Sequence, residues 1–303
     1  VLISLILYEI MYTTDDVIHI AILWTLDILA IATNFLLIVA MWIKTPTLLR
    51  SYSVFLLNNA IVDLTTATVS ALAAVRVVED REGGSSVFVF LGPCSHISEH
   101  LCRLCHAVHV NLMQHSMVVV LLSFAYRLYI IGDVFPSRPT PTRPQMWLIC
   151  ALSLFLMSPL VAGYYLEQTS VAKEVLRRLH LKGYSTANFH IFGTRALCLN
   201  AVACLFAPAV MPMIFLVRRK LLMQIIKNEK KSGCFNNGYF EALTYQMLLP
   251  IGAAVAVFLW LCDITQIWSS EFSERFIMVM FNVFSLASPP INFTILPPYR
   301  TLI

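Results

Sequence analysis

Long apolar runs recur along the chain, and each is bounded by charged residues, glycine or proline. Seven of these runs are near the length of about 20 residues that an α-helix needs to cross the hydrocarbon core of a bilayer. Their approximate bounds are 18–43, 51–77, 101–130, 145–166, 191–217, 242–268 and 276–296. The pattern predicts an all-α fold, a bundle of seven transmembrane helices that forms a single domain over residues 1–303.

Two further segments have helical periodicity outside the bilayer. One lies between the fourth and fifth runs, and its apolar residues share one face of a helix: Val171, Val175, Leu176 and Leu179. The other follows the fifth run and has the apolar residues Leu221, Leu222, Ile225 and Ile226. The first predicts a short amphipathic helix in the second outer loop, and the second predicts that the fifth helix continues beyond the bilayer.

Composition agrees with a membrane location. Hydrophobic residues make up 58% of the chain and charged residues 13%, whereas soluble domains average about 45–50% and about 25%. The formal net charge is +4, and there is no basic stripe interleaved with aromatic residues of the kind that binds nucleic acid. We therefore expect a multi-pass protein in a lipid bilayer that does not bind nucleic acid.

The distribution of lysine and arginine predicts the orientation. More than half of the 21 basic residues fall on the side that carries Lys44 and the stretch from Arg218 to Lys231. The segment before the first run has no lysine or arginine, and the first helix usually has the largest effect on orientation. The N-terminus is therefore expected outside and the C-terminus in the cytoplasm.

Ionisable residues inside the runs are costly in a bilayer, which makes them candidates for function. Asp63 and Asn34 lie at similar predicted depths in the second and first runs, so their side chains could bond directly or through water. Two interpretations remain open: a packing hydrogen bond between helices, or a polar centre that takes part in a conformational switch. Asp27 precedes Asn34 by two helical turns and can face the same seam.

A second set of polar residues is predicted near the outer ends of the helices. Arg195 and Asp263 lie close to the outer ends of the fifth and sixth runs. An ion pair at the mouth of a ligand cavity and an arginine that reaches the headgroups are equally open interpretations. His106 and His109 share one face of the third helix. We expect these four residues to line an outward-facing ligand cavity.

Two short motifs match metal or haem patterns. Residues 96–100 read H-x-x-E-H, as in one class of zinc peptidase, but they fall in a loop or at a helix tip. Residues 102–106 read C-x-x-C-H, a haem-attachment pattern, but they begin a membrane span. Zinc or copper binding by the histidines and cysteines between His100 and His109 is a less favoured alternative. We expect no enzyme activity, no catalytic residue, no cofactor and no bound metal.

The cysteines predict one local disulfide. Cys94 and Cys102 are the pair expected near the outer surface in a loop, whereas most of the other cysteines fall in apolar runs. The second outer loop contains no cysteine that could bond to the third helix. We therefore expect a Cys94–Cys102 bridge, which requires their Cα atoms to lie within about 7 Å.

Several motifs taken together resemble one receptor family. Residues 58–64 are similar to the second-helix motif of rhodopsin-like receptors. Further blocks resemble the nematode class d serpentine chemoreceptors, the Srd family, in that family's order: 44–46, 49–53, 92–94, 115–116, 123–127, 242–246, 249–250, 288–289 and 298–300. Each block alone is weak, but the joint match from about residue 44 to residue 300 is specific.

The resemblance implies a rhodopsin-like G protein-coupled receptor in the plasma membrane of nematode chemosensory neurons, in the sensory cilium. Such a receptor serves olfaction: it binds an odorant or a pheromone-like small molecule and signals to a heterotrimeric G protein. Arg127 would take the place of the arginine in the Asp-Arg-Tyr motif, although Tyr126 replaces the acid of the usual ionic lock. Ser288-Pro289 would take the place of Asn-Pro. With Asn34 and Asp63, these are the expected switch and G protein-coupling residues.

Other function classes remain open. A transporter or channel would use Asp27, Asp63 and Asp263 as a path for ions or protons, although the sequence has no internal repeat of the transporter kind. A non-signalling membrane scaffold is a third class. A degenerate member of the same receptor family, unable to signal, is a fourth.

Overall fold

The computed structural model describes residues 12–44, 51–80, 82–131, 141–190, 194–232, 245, 248–265, 267–268 and 270–295. Some predicted positions lie outside the described residues: the inner loop at 45–50, Cys234, Asn236, most of 242–247, and residues 296–303. Within the described ranges the chain is a bundle of helices with a small β-sheet at one end. We call that end the outer end, following the predicted orientation.

Helices form the body of the molecule. In chain order they are α1 (Thr14–Lys44), α2 (Tyr52–Ala73), α3 (Glu99–Ile131), α4 (Arg143–Glu167), α5 (Lys173–Arg178), α6 (Thr194–Ser232), α7 (Ile251–Ile264) and α8 (Glu271–Ile295). Among the described residues, α1, α2, α3, α4 and α8 are long and apolar enough to cross a membrane, and α7 is a shorter apolar helix. The predicted helical bundle is confirmed.

The limits of two helices follow from local sequence. α4 begins with a capping box in which Thr142 and Gln145 bond each other's backbone, and Pro144 lies in the first turn, where its missing N–H costs nothing. α6 has 39 residues and ends at Ser232. That corresponds to ~58 Å of helix against a hydrocarbon core of ~30 Å. The predicted continuation of the fifth helix beyond the bilayer is therefore confirmed.

A four-stranded antiparallel sheet covers the outer end of the bundle. Its strands are β1 (Val75–Asp80), β2 (Ser85–Phe90), β3 (Gln168–Thr169) and β4 (Ser185–His190), in the order β1-β2-β4-β3. The register places Phe88 of β2 opposite Val77 of β1 on one side and Ala187 of β4 on the other. The sequence pattern predicts helices only, so the sheet is an addition to the predicted fold.

The predicted outer limit of the second helix is wrong. The apolar run predicts helix through residue 77, but α2 ends at Ala73 and β1 begins at Val75. Ala74 turns the chain with a φ of 39°. Gly92 then returns the chain to α2 so closely that an added Cβ would lie 2.3 Å from the Leu72 carbonyl oxygen. The valine-rich segment after Ala74 forms a strand because β-branched side chains fit a pleated sheet.

The sheet packs onto the helices through a buried apolar cluster. Val87, Val89 and Phe90 of β2 contribute to this cluster together with Leu23 of α1. The apolar face predicted for the second outer loop packs against it through Val171, Val175, Leu176 and Leu179. The predicted helix in the second outer loop is confirmed as α5, but it spans only Lys173–Arg178, so Val171 and Leu179 of the predicted face flank it.

A disulfide fixes the chain between the sheet and α3. Cys94 lies in a 3₁₀ turn (Pro93–His96) that follows β2, and it bonds to Cys102 in α3 with 5.2 Å between the Cα atoms. Both side chains are fully buried. This is the pair that the sequence predicts, and it ties the outer sheet to the helix that carries most of the candidate site.

Candidate functional site

A cavity of about 100 Å³ lies between the sheet and the outer ends of the helices. Its walls are mostly apolar and aromatic, with the lining Val77, Phe88, His106, Val110, Tyr164, Gln168, Phe189, Val257, Trp260, Ile277, Met278 and Phe281. Val77, Phe88 and Phe189 come from β1, β2 and β4. The sheet is therefore the outer wall of the cavity, and α3, α4, α7 and α8 form the rest.

Two polar side chains on these walls have buried atoms without hydrogen-bond partners among the described residues. On α3, His106 is 6% exposed, and its Nδ1 is the unpartnered atom. On β3, Gln168 is 3% exposed, and its unpartnered atom is Oε1. The Gln168 backbone is fixed, since its carbonyl accepts a hydrogen bond from Arg103 at 3.1 Å. A buried polar group without a partner costs about 1–3 kcal/mol, which a matching ligand group would offset.

A smaller cavity of about 40 Å³ lies further along α3. Val110, Val257 and Phe281 line both cavities, so the two are neighbours. His109 and Gln114 line the smaller one, and each has a buried atom, Nε2 and Oε1 respectively, without a partner among the described residues. The structure thus places both predicted histidines of α3 on cavity walls.

Of the two interpretations left open for Arg195 and Asp263, the ion pair is not formed among the described residues. Arg195 is exposed in the first turn of α6. Asp263 is 1% exposed at the end of α7, and its Oδ1 accepts a hydrogen bond from the Ser273 hydroxyl of α8 at 2.8 Å. Neither residue belongs to the lining of the two cavities. A buried carboxylate needs hydrogen-bond donors, and the start of α8 supplies one to Asp263.

An open basin of about 550 Å³ lies at the outer surface and is lined largely by charged residues. The Asp16 side chain, fully buried at the start of α1, accepts hydrogen bonds from Arg275 at 3.0 Å and from Tyr184 at 2.9 Å. Asp16 also pairs with Arg76 of β1. These contacts join α1, the sheet, the second outer loop and α8, so the basin contains a clamp that holds the outer end together.

Burial changes the acid–base behaviour of two residues beside this basin. Burial, reinforced by the Asp16 carboxylate, raises the pKa of Tyr184 to about 12. Burial also raises the pKa of Glu79 to about 7, even though Ser86 donates a hydrogen bond to Glu79 at 2.7 Å. The Glu274 carboxylate raises the pKa of Glu79 in the same direction. Glu79 in β1 therefore changes its charge near neutral pH.

A network of buried polar side chains lies in the middle of the bundle. Asp63 of α2 accepts hydrogen bonds from Asn59 at 2.7 Å and from Ser116 of α3 at 2.8 Å. Asn59 also donates to the Ser288 hydroxyl of α8 at 2.9 Å, next to Pro289. All four polar side chains are buried. Two predicted site residues, Asp63 and Ser288, are thus connected through Asn59, and the network links three helices.

Asn34 does not bond to Asp63. Its side-chain amide donates to the backbone carbonyls of Ala30 at 2.9 Å and of Ser285 in α8 at 3.1 Å. A direct bond between Asn34 and Asp63 is therefore not formed, and the Asn34 amide links α1 to α8. Similar depth in the bilayer does not fix the direction of a side chain around its helix axis. Asp27, on the same helix, is buried as well.

Arg127 is buried near the inner end of α3, with 6% of its surface exposed. Its guanidinium donates a hydrogen bond to the Tyr52 hydroxyl of α2 and lies 4.7 Å from the centre of the Tyr52 ring. The Phe124 ring is 5.6 Å away, and Tyr126 stacks on Tyr52 with 6.2 Å between ring centres. Tyr126 occupies the position where the resemblance leads us to expect an acid. The Arg127 guanidinium instead contacts the Tyr52 hydroxyl and the rings of Tyr52 and Phe124.

The two metal-like motifs have other roles. Cys102 is consumed by the disulfide, and His100 bonds to the Tyr165 hydroxyl at 3.1 Å. The His106 ring packs at a tilt of 51° against the Phe88 ring, with 4.3 Å between ring centres. In the part of the chain that the structure describes, no three histidine, cysteine, aspartate or glutamate side chains are grouped to hold a metal ion.

Sequence reasoning missed Gln168, Tyr52, Asn59 and Ser116 as site residues. Asn59 carried a usable signal, because it lies one helical turn before Asp63 on the same face of α2. Ser116 also falls inside a predicted span, where a hydroxyl needs a partner. Gln168 and Tyr52 had no such signal, since their roles depend on the sheet and on the approach of α2 to α3.

Comparisons with known proteins agree with this architecture. A profile of the family described as "Serpentine type 7TM GPCR chemoreceptor Srd" matches residues 20–303. Among relatives from Caenorhabditis elegans, serpentine receptor class delta-1 is 29% identical over 294 residues, with 89% of this chain and 76% of the relative covered. Serpentine receptor class delta-3 is 25% identical over 293 residues, with 90% of this chain and 83% of the relative covered.

A solved structure supports the fold. Squid rhodopsin superposes with a TM-score of 0.62 at 12% sequence identity, over 94% of this chain and 84% of the rhodopsin chain. At this identity the likeness establishes the seven-helix receptor fold alone. With the family profile matching nearly the whole chain, the protein belongs to the Srd family of serpentine seven-transmembrane G protein-coupled chemoreceptors.

Proposed function

We propose that the protein detects a small external molecule in the cavity beneath the sheet and signals to a heterotrimeric G protein. The observation that carries the proposal is the continuity of α3. This one helix bears His106 on the cavity wall, Ser116 in the polar network and Arg127 near the inner end. A molecule that shifts α3 at the outer cavity therefore acts on the same element that holds the inner arginine.

The buried polar network is the part of the bundle that we expect to couple the cavity to the inner end. Helix α8 also reaches both regions, since Phe281 lines the cavities and Ser288 bonds to Asn59. Hydrogen bonds among Asp63, Asn59 and Ser116 define one arrangement of α2, α3 and α8. A ligand that binds better to another arrangement of these helices would shift the population toward it by its difference in affinity.

The inner end is the expected G protein surface. Arg127 is held against Tyr52 and Phe124 and is almost fully covered in this state. Activation would release it toward the cytoplasm beside the basic end of α6, where Arg218, Arg219 and Lys220 follow one another. The cellular setting that fits this role is the plasma membrane of a chemosensory neuron, in the sensory cilium.

Expression of the tagged receptor in cultured cells tests the proposal. Cells are exposed to a panel of small uncharged and charged compounds, and activation of co-expressed G proteins is recorded. We expect at least one compound to give a concentration-dependent response that untransfected cells lack. We also expect Arg127→Ala to abolish that response at matched surface level.

Arg143→Ala is the control for Arg127→Ala, because Arg143 is an exposed arginine at the inner start of α4. It removes the same charge from the same side of the membrane without touching the Tyr52 contact. A panel without any specific response, or an Arg127→Ala receptor that couples as well as the parent, would overturn the proposed function.

A further inference from the structure

We infer that the cavity ligand is a small uncharged molecule with an apolar body and one hydroxyl group. This inference rests on the proposed function, because it names the ligand class for the same cavity. It follows from three properties of the cavity: the lack of charge on its walls, the unpartnered polar atoms of His106 and Gln168, and its volume.

The walls exclude a charged ligand. The side chains that line the cavity are apolar or aromatic, apart from His106, Gln168 and the Tyr164 phenol. No carboxylate, lysine or arginine is among the described lining residues of this cavity or of its smaller neighbour. An ammonium or carboxylate group would lose its hydration here without gaining a counter-charge, which is strongly unfavourable. The charged residues of the outer end are instead grouped in the separate basin.

The polar atoms favour a hydroxyl over a carbonyl. Oε1 of Gln168 accepts hydrogen bonds only, so it needs a donor from the ligand. Nδ1 of His106 is a donor in one tautomer and an acceptor in the other. A hydroxyl both donates and accepts, so it can satisfy either atom in either state. A ketone or ester only accepts and would leave Oε1 of Gln168 unpaired.

The volume limits the size of the ligand. A dry protein cavity of about 150 Å³ holds a molecule as large as benzene. The cavity beneath the sheet measures about 100 Å³, and its neighbour adds a further recess of about 40 Å³ past Val110 and Phe281. A ligand of about six non-hydrogen atoms therefore matches the space. The rings of Phe88, Phe189 and Trp260 offer flat apolar surface to its hydrocarbon part.

Two readouts with matched compounds test the ligand class. The panel contains straight, branched and cyclic alcohols of four to six carbons, with the ketone, ammonium and carboxylate analogues of each. Binding is measured as the increase in Tm of the detergent-purified receptor, and signalling as G protein activation in cells. We expect an alcohol to raise Tm and to be at least tenfold more potent than its ketone analogue, with the charged analogues inactive.

Variants test the contacts. Gln168→Leu and His106→Phe should each weaken binding of the active alcohol by about tenfold, the effect of one lost hydrogen bond, and Gln168→Leu should also reduce the advantage of the alcohol over the ketone. His100→Phe is the matched control, because His100 is exposed on the same helix and does not line the cavity. If Gln168→Leu or His106→Phe does not reach the cell surface, Val110→Leu takes its place. This variant should fill the smaller cavity and so favour shorter alcohols.

The outcomes separate this inference from the proposed function. If only charged compounds, or compounds without a donor, activate the receptor, the proposed function stands and the ligand class is wrong. If an alcohol raises Tm and the variants behave as expected but no G protein responds, the ligand class stands and the proposed function fails. If no alcohol in the panel binds or signals, the ligand class is overturned.

Discussion

At the scale of single residues, Arg127 contacts Tyr52 in a chain that lacks the acid expected from the resemblance to the Asp-Arg-Tyr motif. Tyr126 stands where the acid would be, and a buried guanidinium still needs an acceptor. The Tyr52 hydroxyl from α2 supplies it, and the Tyr52 ring adds a cation–π contact at 4.7 Å. We propose that this contact with a phenol on a different helix restrains the inner end of α3.

Tyr52→Phe should raise signalling in the absence of ligand. The substitution keeps the ring and removes the hydroxyl, so it costs one hydrogen bond worth about 0.5–1.5 kcal/mol. If that bond is specific to the inactive state, the population of the active state rises by roughly two- to tenfold. Basal G protein activation at equal surface level is the measurement.

Tyr129→Phe is the control for this substitution, since Tyr129 is a partly exposed tyrosine on α3. It should leave basal signalling unchanged. Equal basal activity in Tyr52→Phe and the parent would show that the phenol does not restrain Arg127.

The sequence predicts which polar residues face the interior of the bundle. Asp63, His106 and His109 stand out because polar groups in an apolar run must face the interior. Their partners were not predictable, because a partner depends on the rotation of each helix about its axis. Asn34 illustrates this, because it bonds to the backbone of Ser285 in α8 and not to Asp63.

At the scale of elements, the sheet is the feature that hydrophobic periodicity could not reveal. β2 is buried on both sides, so its residues 87–90 form a continuous apolar run instead of alternating with polar residues. The second outer loop supplies β3 and β4 from far along the chain. Pairing between strands that are far apart in the chain produces no pattern within a short stretch of sequence. The amphipathic face of α5 lies within one short stretch, so the sequence predicts it.

Glu79 in β1 should make the stability of the outer end depend on pH. Its pKa is about 7 in the folded protein against an ordinary value of 4.5, mainly because of burial. Below the ordinary value the carboxyl is protonated in both states. As pH rises toward 7, the unfolded chain loses the proton first, so the free energy of unfolding falls by roughly 1–3 kcal/mol.

Glu79→Gln should therefore flatten the dependence of Tm on pH between about 4.5 and 7, measured on purified receptor. Glu82→Gln is the matched control, because the Glu82 side chain is largely exposed beside the same hairpin. A parent protein whose Tm does not fall across this window would contradict the assigned pKa. If the change of Tm with pH were equally reduced in both variants, the pH dependence would come from the net charge of the basin and not from Glu79 in particular.

The disulfide should contribute to the stability of the same region. Cys94 and Cys102 are 8 residues apart, and closing so short a loop stabilises the folded state by about 2–3 kcal/mol in the chain-entropy description. The double variant Cys94→Ser, Cys102→Ser should lower Tm accordingly. Cys198→Ser, which changes an exposed free cysteine, should leave Tm within error. An unchanged Tm in the double variant would show that the bridge does not hold the outer end.

At the scale of the whole molecule, length, composition and the spacing of apolar runs predicted the seven-helix bundle, and the squid rhodopsin likeness agrees with it. This level is predictable because the bilayer sets the length of each helix and excludes other backbone structures. The cavity is less predictable, because its outer wall is the sheet.

The orientation of the whole molecule can be tested with epitope tags. A tag inserted near Asn236 should bind antibody only after the cells are permeabilised, because the basic residues around it favour the cytoplasm. A tag at Gly183, in the turn before β4 at the outer end, should bind antibody on intact cells. Labelling of the Asn236 tag on intact cells would reverse the predicted orientation.

The sheet that forms the outer wall of the cavity also bears on how long a ligand stays bound. We propose that a molecule bound beneath the four paired strands, with Cys94 bonded to Cys102 behind them, leaves past the sheet or between the helices, and that this exit is slow. We therefore expect the response to outlast a brief pulse of stimulus and to decay at the rate of ligand escape. Signal decay after rapid wash-out measures that rate, and the double serine variant should shorten it. A receptor that releases its ligand slowly would signal the average ligand concentration over the recent past and would not follow rapid changes in that concentration.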